Sequence, residues 1–110
     1  MESPKIDNYT EFWLYYLREH SRKATRAWHY LGTVLAITLM MAAIATQTAT
    51  LALAAVVSGY FFAWVSHGAI EKNKPATFTY PLWSLASDFR MLFCFLTGRM
   101  EKELEKAGIV

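Results

Sequence analysis

The chain carries three histidines, His20, His29 and His67, and their spacing allows all three to meet. His29 and His67 lie inside a 44-residue run, residues 27–70, that holds no Asp, Glu, Lys or Arg. Their midpoint is residue 48, the centre of the most polar stretch of that run, Thr46-Gln47-Thr48-Ala49-Thr50. A chain that folds back there as an antiparallel hairpin brings the two imidazoles to one depth. His20 comes only nine residues before His29 and can reach the same layer. Neutral imidazole suits Fe, Zn, Cu and Ni alike, so this convergence reads as a metal site of open identity. Glu71 lies one turn beyond His67; it is a ligand, a group that orients an imidazole, or the first charged residue outside the lipid. Two other chemistries compete. His29 and His67 can be axial ligands of a haem between two helices, or hydrogen-bonding residues of a non-catalytic membrane protein that binds lipid. The sequence has no H-E-x-x-H, C-x-x-C, G-x-G-x-x-G or P-loop motif and no evident nucleophile–base pair.

The elements that must hold these histidines follow from hydropathy and charge. Hydrophobic residues make up 55% of the 110-residue chain and charged residues 18%, against about a quarter charged in an average soluble domain. A soluble fold of this length has too little chain to wrap two uncharged segments on every side, whereas a bilayer can. Removing the Thr-rich centre leaves about twenty residues on each side, roughly 30 Å of helix, the thickness of the hydrocarbon core. The expected architecture is therefore all-α: a single membrane domain over 1–110, with spans at 28–46 and 51–70 and flanking interfacial helices. Arg22, Lys23 and Arg26 precede the first span, and Lys72 and Lys74 follow the second. The positive-inside bias then puts both termini in the cytoplasm, at the inner membrane of a bacterium or the endoplasmic reticulum of a eukaryote. Residues 1–26 carry nine charged side chains, which argues against a signal peptide.

The histidine-bearing faces also carry small residues. Gly32, Thr33 and Ala36 fall within about 60° of His29 on a helical wheel, and Ala63, Gly59 and Ala55 form a row below His67. Small residues let membrane helices approach closely, so these surfaces are expected to meet, or to mediate a homo-oligomer. Residues 9–20 read as an amphipathic helix with Tyr9, Phe12, Trp13, Tyr16 and His20 on one face, capped by Asp7 or Asn8. Such an aromatic face suits the headgroup region or a protein surface equally. Residues 73–81 read as a loop. Residues 82–98 are strongly apolar but hold Asp88 and Arg90, a pair costly at mid-bilayer, which favours an interfacial or re-entrant helix. Residues 101–106 read as a short charged tail helix. The single Cys94 excludes an internal disulfide, and the scattered basic residues indicate no nucleic-acid partner.

Several blocks taken together carry a family resemblance: Tyr16-Leu17-Arg18-Glu19-His20, Trp28-His29-Tyr30-Leu31-Gly32-Thr33, His67-Gly68-Ala69-Ile70-Glu71-Lys72-Asn73-Lys74-Pro75-Ala76, Tyr80-Pro81-Leu82-Trp83-Ser84 and Asp88-Phe89-Arg90-Met91. Their order, over about residues 12–92, resembles the small membrane-protein family that includes the fungal 2-hydroxy fatty acid dioxygenase of the endoplasmic reticulum. The resemblance implies an Fe(II)-dependent oxygenation in fatty acid α-oxidation, in which a 2-hydroxy fatty acid and O₂ yield the acid one carbon shorter and CO₂. It implies His20, His29 and His67 as the iron-site residues. Arg26, Lys74 and Arg90 are then the candidate cations for the substrate carboxylate.

Overall fold

The computed structural model describes residues 5–109, and among them every regular element is helical. Helices α1 (Tyr9–Arg18), α2 (Lys23–Thr46) and α3 (Ala49–Val65) are followed by a π-helical turn (Ser66–Glu71) and a 3₁₀ turn (Ala76–Phe78). Helices α4 (Pro81–Leu96) and α5 (Met100–Lys106) complete the order. The chain divides into two compact units, Arg22–Pro75 and the flanking segments Met1–Ser21 with Ala76–Val110.

The Arg22–Pro75 unit is the helical hairpin. Two stretches, Lys23–Thr46 and Ala49–Glu71, are long and apolar enough to cross a membrane. At 1.5 Å per residue each exceeds the hydrocarbon thickness of about 30 Å. The first begins at Lys23, earlier than hydropathy alone suggests, so the charged residues Lys23 and Arg26 are helical. The reversal is tight. Gln47 adopts the left-handed conformation (φ 53°), and the Thr48 N–H reaches back to the Ala43 carbonyl at 2.9 Å. That bond closes the end of α2 in a Schellman-type turn, using Gln where glycine is more usual.

The seam between α2 and α3 is built from the small residues. Ala55 and Ala63 of α3 and Gly32, Thr33 and Ala43 of α2 are buried. Gly59 lies against Ala36, whose Cβ is 3.5 Å from where a Gly59 side chain would begin. At Gly32 the approach is closer still: an added Cβ would sit 2.5 Å from the Phe62 Cβ. The Ala55/Gly59/Ala63 row is thus taken up by packing within the chain. Outward-facing positions are large and apolar, among them Leu31, Met41, Ile44, Leu53, Val57 and Phe61. This small-inside, large-outside arrangement is what a lipid solvent favours.

In the other unit, α1 starts where the Asn8 side chain accepts from the Glu11 N–H at 2.9 Å. Glu11 in its first turn and Arg18 in its last complement the helix dipole. Its face of Phe12, Trp13, Tyr16 and Leu17 is buried against α4 and α5. Phe12 meets the Tyr80 and Trp83 rings at 5.2 and 5.4 Å, and the Tyr9 and Ser87 hydroxyls bond at 2.9 Å. The aromatic face is therefore a protein-packing surface.

Helix α4 begins with Pro81 in its first turn, where a missing N–H costs nothing. Its polarity is inverted relative to a helix in water. Ser84 and Ser87 are buried, while Leu82, Leu85, Phe89, Phe93 and Leu96 form an exposed stripe. Asp88 and Arg90 do not pair with each other. Asp88 accepts from the Tyr16 hydroxyl, and the Arg90 guanidinium lies 4.2 Å from the centre of the Trp13 ring and 3.6 Å from the Glu103 carboxylate.

Candidate metal centre

Within the hairpin, the fold-back brings His29 and His67 face to edge. Their ring centroids are 5.6 Å apart with the planes at 82°, and both side chains are buried. His29 sits in the second turn of α2, where Thr33 one turn on bonds back to its carbonyl at 2.9 Å. His67 is the second residue of the π-helical turn. Such wide turns recur at functional sites because they re-aim a side chain without ending the helix.

The chain then reverses sharply. Lys72 takes a left-handed conformation (φ 62°), and the N–H groups of Lys72 and Asn73 both point back to the His67 carbonyl. This reversal carries the Asn73 side chain to the imidazole, with Oδ1 at 2.7 Å from His67 Nδ1. A carbonyl oxygen only accepts, so Nδ1–H donates, and the neutral ring carries its lone pair on Nε2.

Glu71 is held at the start of α2. Its Oε1 accepts from the Arg22 backbone N–H at 2.9 Å and from the Thr25 hydroxyl at 2.8 Å. Thr25 is completely buried. Helix α2 has no side-chain cap bond from Arg22, its N-cap residue, and the Glu71 carboxylate instead accepts the N–H of Arg22, as the acidic residue of a capping box does.

His20 belongs to the other unit, just past the end of α1 and fully buried. Its Nδ1 lies 2.7 Å from the Tyr16 carbonyl, and its ring stacks on the Tyr16 ring with centroids 4.1 Å apart. The same reasoning makes Nδ1–H the donor and puts the lone pair of the neutral ring on Nε2. Tyr16 is anchored in turn: its hydroxyl donates to Asp88, and its ring stacks on Trp13 at 5.7 Å. Burial raises the Asp88 carboxyl to about 7, against the opposing effect of the Tyr16 donor.

The donor set fits a transition metal. Two of the three histidines have Nδ1 fixed by an oxygen acceptor, as metal-bound imidazoles usually do, which leaves Nε2 to coordinate. The three cations expected at a substrate carboxylate have different surroundings. Arg26 is half-buried on α2, three residues before His29; Lys74 is exposed; Arg90 is engaged with Trp13 and Glu103. Sequence reasoning missed Asn73 and Thr25. The first falls in a segment that reads only as loop, and the second is a lone threonine among basic residues. Tyr16 is one helical turn before His20, a spacing that carried the signal.

Residues 6–100 match the family model described as "2-hydroxy-palmitic acid dioxygenase Mpo1-like". No curated protein and no solved structure matches the chain.

Proposed function

The chain belongs to the Mpo1-like family of 2-hydroxy-palmitic acid dioxygenases, and from that premise we propose that it is an Fe(II)-dependent dioxygenase of 2-hydroxy fatty acids at a membrane edge. The observation that carries the iron site is the histidine pair of the hairpin: the buried His29 and His67 rings have centroids 5.6 Å apart. That is close enough for side-chain rotation to bring both onto one ion, given metal–nitrogen bonds of about 2.1 Å, with His20 as the third ligand that membership of the family implies. Iron(II), when bound, supplies open coordination positions for a chelating 2-hydroxy acid and for O₂.

The protein's own groups do the rest. His20 and His67 are held in the ligating tautomer by the Tyr16 carbonyl and the Asn73 side chain. His29 reaches the site from α2, and Glu71 ties down the α2 start next to it. Arg26, three residues before His29 on the same helix, is the cation we assign to the substrate carboxylate by its position, with Lys74 and Arg90 as the other candidates. The acyl tail stays among lipid chains, against outward apolar residues such as Leu31, while its headgroup reaches the histidine layer. With Arg22, Lys23, Arg26, Lys72 and Lys74 at the histidine end, the positive-inside bias orients that end and both termini toward the cytoplasm. The apolar stripe of α4 lies in the interface plane, since a 16-residue helix of about 24 Å is too short to span the core.

The test is direct. Protein purified in detergent and reconstituted anaerobically with Fe(II) is expected to hold about one iron per chain and to convert 2-hydroxypalmitate to pentadecanoate. His29→Ala and His67→Ala should each remove both properties. Protein that retains no iron, or variants that keep full turnover, would overturn the assignment.

A further inference from the structure

Glu71 has a second consequence, which rests on the metal reading of the histidines and deepens it. The two spans of the hairpin are joined by a turn at Gln47–Thr48, far from the histidines, so the histidine end is the open end. Open ends of paired helices fray, because the first backbone N–H groups of a helix lack partners and end residues have neighbours on one side only. His29 and His67 must nevertheless keep a fixed spacing there.

We propose that Glu71 is a latch that closes the open end of the hairpin and sets the spacing of His29 and His67, acting as a positioning residue and not as a ligand. The placement is symmetrical about the pair. Thr25 lies four residues before His29 on α2, and Glu71 lies four residues after His67 at the end of the π-helical turn. One carboxylate oxygen, Oε1, accepts from both the Thr25 hydroxyl at 2.8 Å and the Arg22 N–H at 2.9 Å. The span carrying His67 is thereby bonded to the span carrying His29, one turn outside each imidazole. Thr25 is wholly buried, so its hydroxyl has no solvent to turn to when the carboxylate is removed. Glu71 also accepts the N–H of Arg22, the N-cap residue of α2, which ties the order of the first α2 turn to the position of the π-helical turn.

The full chain in detergent, with Co(II) as a spectroscopic probe in place of iron, tests this. Glu71→Ala and Thr25→Val should weaken Co(II) binding by about 10–100-fold, the usual range when a group supporting a metal ligand is lost, and should alter the visible Co(II) spectrum. Glu71→Gln keeps an oxygen at the same reach, and Thr25→Ser keeps the hydroxyl; both should bind within a few-fold of the parent with its spectrum. A Glu71→Gln variant as weak as Glu71→Ala would make Glu71 a ligand and overturn the latch. Unchanged affinity and spectrum in Glu71→Ala would overturn it equally. Hydrogen exchange on the metal-free protein separates this proposal from the metal reading. Loss of the latch should speed exchange at the Arg22 amide and through Ser66–Glu71 whether or not cobalt binds. A parent protein that binds no Co(II) would sink the metal reading, while unchanged exchange in Glu71→Ala would sink the latch.

Discussion

The Asn73 carboxamide oxygen stands 2.7 Å from Nδ1 of His67, six residues back along the chain. On a regular α-helix a six-residue separation puts two side chains about 120° apart, on different faces. The contact exists because the helix widens to a π turn over Ser66–Glu71 and Lys72 then turns left-handed. A single residue with positive φ thus converts a neighbour in sequence into the group that selects the tautomer of a candidate ligand.

Asn73→Ala should free the His67 ring to rotate and to exchange tautomers. Metal affinity is expected to fall by about 10–100-fold. Asn73→Asp, which keeps an acceptor oxygen, should retain most of it. Titration with Fe(II) or Co(II) in detergent reads this out, and equal affinity in all three proteins would show that the contact has no part in binding.

Two glycines of the hairpin make opposite predictions. At Gly32 a methyl group would sit 2.5 Å from the Phe62 Cβ, a clash that only movement of one helix relieves. Gly32→Ala should cost about 1–3 kcal/mol, as overpacking commonly does. At Gly59 the nearest atom to an added Cβ is the Ala36 methyl at 3.5 Å, an ordinary contact. Gly59→Ala should therefore be neutral or slightly stabilising, since alanine is the better helix former. Thermal unfolding in one detergent compares the two, and equal losses would mean that the close approach at Gly32 has been misjudged.

Asp88 gives the stability a pH dependence of defined sign. Its carboxyl is raised from the ordinary value of 3.8 to about 7, chiefly by burial. An unfolded chain ionises this group at the lower value, so the folded state is progressively disfavoured as pH climbs from about 4 to about 7, and the effect is level outside that window. Asp88→Asn should abolish this part of the slope and leave the Tyr16 hydroxyl an acceptor. Unfolding followed from pH 4 to 8 in both proteins tests the difference. A protonated-carboxyl infrared band that persists to near pH 7, and is absent from the variant, would identify the group directly.

Much of the hairpin was legible because two independent patterns agree on one register. The histidines are equidistant from the polar turn, and the small residues lie on their faces; Gly32 approaches Gly59, Gly59 lies against Ala36, and Ala63 is buried, as that register requires. Helix boundaries were less legible. Hydropathy stops at charged residues, whereas α2 starts at Lys23, because helix ends answer to hydrogen bonding and Glu71 holds the Arg22 N–H from 49 residues away. The polar supports of the site were hidden for a related reason. Asn73 and Thr25 act through backbone geometry that no hydrophobic period encodes. Asp88 and Arg90, two positions apart, point to different neighbours, Tyr16 and Trp13, since residues two apart on a helix face different ways.

Gln47, where the chain reverses, sits eighteen residues from His29, about 27 Å along the helix axis. The candidate metal site and the connection thereby lie at opposite ends of the same pair of rods. A reporter peptide or a glycosylation acceptor spliced between the rods would reveal which side of the bilayer the bend occupies and leave turnover intact. A chain cut at that bend would offer two halves able to find each other by their glycine and alanine faces alone.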